Sequence, residues 1–151
     1  METNNQKTID ELNNLLEINN DRIEGYNHAV KETDESDLKT IFSQCSTTSL
    51  KCKQQLTTEI QKLGGTPIEG TRNTGKLYRA WMDIKSALTN KNRKAILSSC
   101  ELGEDVAVKN YEDALKNSKV DPERYSLINS QYSLIKSDHD KVKALRDMVK
   151  S

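Results

Sequence analysis

Leu38, Phe42, Cys45, Ser49, Cys52, Leu56, Ile60 and Leu63 recur at spacings of four and three residues. An α-helix turns once in about 3.6 residues, so this run lies along one face and forms a seam for packing against other helices. A long helix sealed on one side needs neighbours of similar length. Three other segments supply them. The first runs from about Thr8 to Thr33, opened by a capping box between Thr8 and Glu11, with Ile9, Leu12, Leu16, Ile23 and Val30 as its stripe. The seam helix follows, with Ser36 as its N-cap. A third covers about Arg93 to Asn117. Asp121 and Pro122 then place an N-cap and a first-turn proline at the head of a fourth, which continues through Tyr125, Ile128, Tyr132, Ile135, Val142, Leu145 and Val149.

Gly64 and Gly65 stop the second helix, and the stretch from Gly64 to Gly75 holds four of the 6 glycines. A short amphipathic helix from about Lys76 to Leu88 follows, with Leu77, Trp81, Ile84 and Leu88 on one side, before a polar break at Thr89 to Asn92. The breaks within the first and last helix pairs are only a few residues long, so each pair should be an antiparallel hairpin. The middle connection is long enough to run back along the molecule. These features predict an all-α, ferritin-like four-helix bundle with a long crossover containing a short extra helix between the second and third main helices; a simple up-and-down order is the alternative. Residues 1–7 are expected to be a disordered N-terminus and residues 8–151 a single domain.

Hydrophobic residues make up 34% of the chain, which leaves a narrow core. Its 23 Lys plus Arg balance 23 Asp plus Glu, so no net field draws nucleic acid. No run approaches the roughly 18 apolar residues of a membrane span, and the polar N-terminus lacks the apolar core of a signal peptide. A cytoplasmic location is the resulting expectation. Cys45, Cys52 and Cys100 are odd in number and lack CxxC spacing, so they read as reduced, buried small residues.

At about 100° per residue, Glu17, Asp21, Glu24 and His28 fall opposite the first helix's stripe and read as a solvated acidic edge. Polar residues expected to point inward are Asn19, Asn20, Tyr26 and Asn27 on the first helix and Cys45, Thr48, Ser49 and Cys52 on the second. The third adds Cys100, Glu104 and Tyr111, and the fourth Gln131, Asp138 and His139. A buried Glu104 needs a partner, because an uncompensated carboxylate is costly in the interior. His139 and Gln131 are the candidates. The pairing is either a hydrogen-bonded layer that sets helix register, or a site for one iron, manganese or zinc ion held by Glu104 and His139. A di-iron set needs a Glu from two helices and Glu-x-x-His from two more, and this chain does not carry it. No GxSxG, P-loop, GxGxxG or HExxH motif is present. The expectation is therefore no catalytic residue and no cofactor.

Gly64-Gly65-Thr66-Pro67 with Gly70-Thr71, Arg79-Ala80-Trp81 with Lys85, Cys100-Glu101-Leu102-Gly103-Glu104-Asp105 with Tyr111, and His139-Asp140 with Leu145-Arg146-Asp147 appear in this order. Together they resemble a family of bacterial proteins of unknown function with ferritin-like four-helix bundles, over about Ile9 to Asp147. The resemblance implies a ferritin-like fold and a bacterial cytoplasmic setting, and it implies no activity. Many members carry histidine where this chain has Tyr78, which removes one metal ligand or proton carrier. The functional expectation is a non-catalytic or cryptic bundle of the stress-associated kind, acting by self-association into a homo-oligomer or by binding a protein partner. A single-metal or redox bundle using Glu104 and His139 is the alternative.

Overall fold

The structure, a computed structural model, describes residues 2–71, 75–116 and 120–149. Among these residues there are five α-helices and no strands: α1 Glu2–Glu32, α2 Ser36–Lys62, α3 Gly75–Thr89, α4 Arg93–Leu115 and α5 Pro122–Met148. None is long and apolar enough to cross a membrane. Asp121 caps α5 by accepting from the Arg124 N–H, with Pro122 in the first turn, and Asn92 caps α4 through the Ala95 N–H. The expected Ser36 cap moves one residue, to Glu35, which makes no side-chain cap bond.

α1 starts at Glu2, well before the expected Thr8. Thr8 is therefore a buried residue inside the helix and not its cap. At the same end of the hairpin, α2 closes in a Schellman motif. The Gly65 N–H bonds to the Ile60 carbonyl and the Gly64 N–H to that of Gln61, with Gly64 at φ 82°. That left-handed turn explains Gly64, and close approach of the Ile9 and Ile60 side chains explains Gly65. Two expectations fall outside the description: the side chain of Leu77, and Asn117 as the end of the third long helix.

Cross-helix pairs give the directions. Arg22 meets Ser49 and Asn27 meets Ser46, so α1 and α2 are antiparallel. Tyr111 with Gln131, Asp105 with His139 and Glu101 with Arg146 make α4 and α5 antiparallel. Arg93 at the head of α4 pairs with Glu35 and Asp37 at the head of α2, at 2.6 and 2.7 Å. Those two helices therefore start at the same end and run parallel, unlike neighbours in an up-and-down order. The segment joining them returns along the molecule, with α3 packed on α4 and touching α1.

One continuous core fills the space between the helices. On α2 it consists of Leu38, Phe42, Cys45, Ser49, Cys52, Leu56 and Ile60 of the predicted seam, together with Ile41, while Leu63, the seam's last predicted residue, is the C-cap and only half-buried. The core face of α1 differs from the predicted stripe. It follows Leu12, Leu15, Asn19, Arg22, Tyr26 and Ala29, all fully buried, while Ile23 and Val30 are only half-buried.

Candidate functional site

Arg22 occupies a core position of α1 and has no exposed surface. Its Nε and Nη2 donate to the two carboxylate oxygens of Glu104 on α4, at 2.8 and 2.7 Å. Nη2 also reaches Asp138 on α5 at 3.3 Å, and Nη1 donates to the Ser49 hydroxyl on α2. One guanidinium thus ties together all four long helices. The planar fork of arginine suits this task, since it presents parallel donors to a carboxylate and keeps others for the remaining partners. The Tyr26 ring lies 5.5 Å from the guanidinium carbon and faces the same charge.

Burial alone would weaken the Arg22 guanidinium's hold on its proton. The Glu104 carboxylate outweighs that effect and leaves the guanidinium more firmly protonated than in water. Asp138 is pushed above the usual carboxylate range by burial, with Arg22 and a hydrogen bond from Thr48 acting against the shift. The three cysteines are free and buried, as expected. Burial followed by the Glu104 charge raises the thiols of Cys45 and Cys100, and burial pushes Cys52 up to about 11. None is activated as a nucleophile.

A second polar chain runs beside the arginine. Asn19 donates to the Tyr111 hydroxyl at 2.9 Å and to the Leu15 carbonyl; Tyr111 donates to Gln131 at 2.7 Å, and Gln131 donates to Gln55. Asn19, Asn20, Tyr26, Cys45, Ser49, Cys52, Cys100, Glu104, Tyr111, Gln131, Asp138 and His139 are buried as predicted. Thr48 is half-buried, and Asn27 is exposed, contrary to expectation. Asp21, placed by prediction on a solvated edge with Glu17, Glu24 and His28, is 3% exposed. It lines a cleft of about 60 Å³ with Gly25, Tyr78 and Trp81. That space is on the scale of a few water molecules.

The expected Glu104–His139 pair does not form. Both Glu104 oxygens are taken by Arg22, and His139 instead bridges two carboxylates, with Nε2 2.6 Å from Asp105 and Nδ1 3.0 Å from Asp140. Burial lowers the imidazole's affinity for its proton, but Asp140 and Asp105 more than restore it. Glu104 and His139 therefore belong to different clusters, and a single ion between them would have to displace Arg22 first. Arg22 is the residue that sequence reasoning missed. The signal was present: continuing the four-and-three spacing from Leu12 and Leu15 reaches positions 19, 22 and 26.

A family profile matches residues 7–117, and its description reads Domain of unknown function (DUF2383). The matched span includes Arg22, Ser49 and Glu104 and ends before α5, the helix that carries Asp138 and His139. No curated protein matches the chain.

Proposed function

The chain belongs to the DUF2383 family, and we propose that it is a non-catalytic, ferritin-like bundle of the bacterial cytoplasm that acts by self-association or by binding a protein partner, in a stress-associated setting. One observation carries this reading. The buried guanidinium of Arg22 lies between Glu104 and Asp138, carboxylates of two different helices. Carboxylate-bridged bundles hold metal cations between such groups. Here the cation is part of the chain, so the charge of Glu104 is already balanced and both its oxygens are engaged. The ferritin-like reading draws support from the parallel course of α2 and α4, which a long crossover requires.

Fe(II) oxidation in air tests the absence of catalysis. Protein purified without an affinity tag is expected to oxidise Fe(II) no faster than buffer. A catalysed rate that Glu104→Gln abolishes would overturn the proposal. Sedimentation velocity on the same sample measures self-association, and a strict monomer would confine the role to a protein partner.

A further inference from the structure

Away from the buried guanidinium, three ligating side chains converge where α4 meets α5. Glu101 and Asp105 stand one helical turn apart on α4, and His139 faces them from α5. One donor atom from each lies within 4.8 Å of the others. We propose that Glu101, Asp105 and His139 bind one divalent transition-metal ion of the Zn²⁺ class, with Asp140 orienting the imidazole and Arg146 competing for Glu101. One imidazole nitrogen and two carboxylate oxygens are the donor types that zinc, manganese and ferrous iron share, and a fourth position is left for water.

Geometry favours an ion at Nε2. The His139 side chain is only 10% exposed, so its ring is held in place by packing. Its Nδ1 lies 3.0 Å from the Asp140 carboxylate, the outer-shell contact that fixes tautomer and orientation in histidine-ligated metal sites. Nε2 is thereby aimed at Asp105, 2.6 Å away. Asp105 is more than half exposed, which gives both a path of entry and freedom to adjust. Donors around a tetrahedral ion at about 2.0–2.2 Å stand roughly 3.4 Å apart. The Nε2–Asp105 separation must widen and the cluster's longer separations must close, and rotation of the exposed aspartate accomplishes most of this. Arg146 donates to Glu101 at 2.8 Å, yet it also bonds to Asp147 at 2.9 Å and so keeps a partner when it releases Glu101.

This site is independent of the Arg22 cluster, and its test is independent of Fe(II) oxidation. Untagged full-length chain, stripped with chelator and dialysed, is titrated with Zn²⁺ by calorimetry and with Co²⁺ by visible absorption. One ion per chain is expected. His139→Ala and Asp105→Asn should each weaken binding tenfold or more and remove the Co²⁺ bands, Asp140→Asn should weaken it about 10–100-fold, and Arg146→Gln should tighten it. Because Asp105 is exposed, its variant keeps the fold even if His139→Ala does not, and circular dichroism checks both. Absence of saturable Zn²⁺ uptake, or equal uptake by parent and Asp105→Asn, would overturn the proposal.

Discussion

Arg22 and Glu104 are each fully buried and each is the other's principal partner. Removing Glu104 leaves the buried Arg22 charge with only the longer Asp138 contact at 3.3 Å, whereas an exposed ion pair is worth little. Glu104→Gln should therefore lower stability by about 3–5 kcal/mol, measured by urea unfolding, a large part of the roughly 5–15 kcal/mol that holds a domain folded. Asp138 behaves oppositely. Its folded pKa is raised, so the native state binds a proton more tightly than the unfolded chain, and ionisation of Asp138 costs stability as pH rises through that folded value. Asp138→Asn removes this cost. Its stability relative to the parent should improve as pH rises from about 4, the ordinary aspartate value, through the raised one. A difference that is flat with pH would show that Asp138 keeps an ordinary pKa. Most of these interior residues were legible in the sequence because they are small or polar among apolar neighbours at helical spacing. Arg22 was not, because following only the apolar residues of α1 rotates the inferred face away from it. A charge enters a core position only when partners on other helices neutralise it, and no single-helix pattern displays those partners.

At the scale of elements, α3 packs on α4 and meets α1 through a bulky aromatic contact. The Trp81 ring packs edge-on to Tyr26, with ring centres 4.9 Å apart, and Tyr26 in turn lies against Phe42. This places α1, α2 and α3 on one aromatic cluster. Gly25 makes the approach possible: a Cβ there would stand 2.4 Å from the indole ring. Gly25→Ala must push Trp81 outward, with an overpacking cost of about 1–3 kcal/mol. Trp81 is the only tryptophan, so its fluorescence should shift to the red and α3 should lose hydrogen-exchange protection before the long helices do. An unshifted emission spectrum would mean that the ring does not rest on Gly25. The helix boundaries were readable to within a residue or two wherever a cap or glycine marks them, as at Asp121-Pro122 and Gly64-Gly65. They were less readable at the head of α1, where Thr8 and Glu11 form a capping pattern that the helix runs through. Capping residues mark a helix start only when the chain before them leaves the axis.

For the molecule as a whole, the question is what a charged layer contributes to a core that is otherwise apolar. The guanidinium contacts α1's partners α2, α4 and α5 at one level, so sliding any helix by a turn would separate it from Ser49, Glu104 or Asp138. An apolar seam is less demanding, because a heptad-like stripe shifted by one turn still buries much of its surface. On this argument the layer specifies which arrangement forms more than it stabilises that arrangement. Buried charge triads replaced together by apolar residues of similar volume can leave stability unchanged or raise it by about 1–4 kcal/mol. The triple variant Arg22→Met, Glu104→Leu, Asp138→Leu should accordingly be at least as stable as the parent, although Glu104→Gln alone is costly. Its loss should appear as altered helix pairing or mixed association states, read by sedimentation and by the dispersion of its amide resonances. A triple variant as unstable as Glu104→Gln would instead make the Arg22 cluster a net source of folding energy, and the register argument would fail.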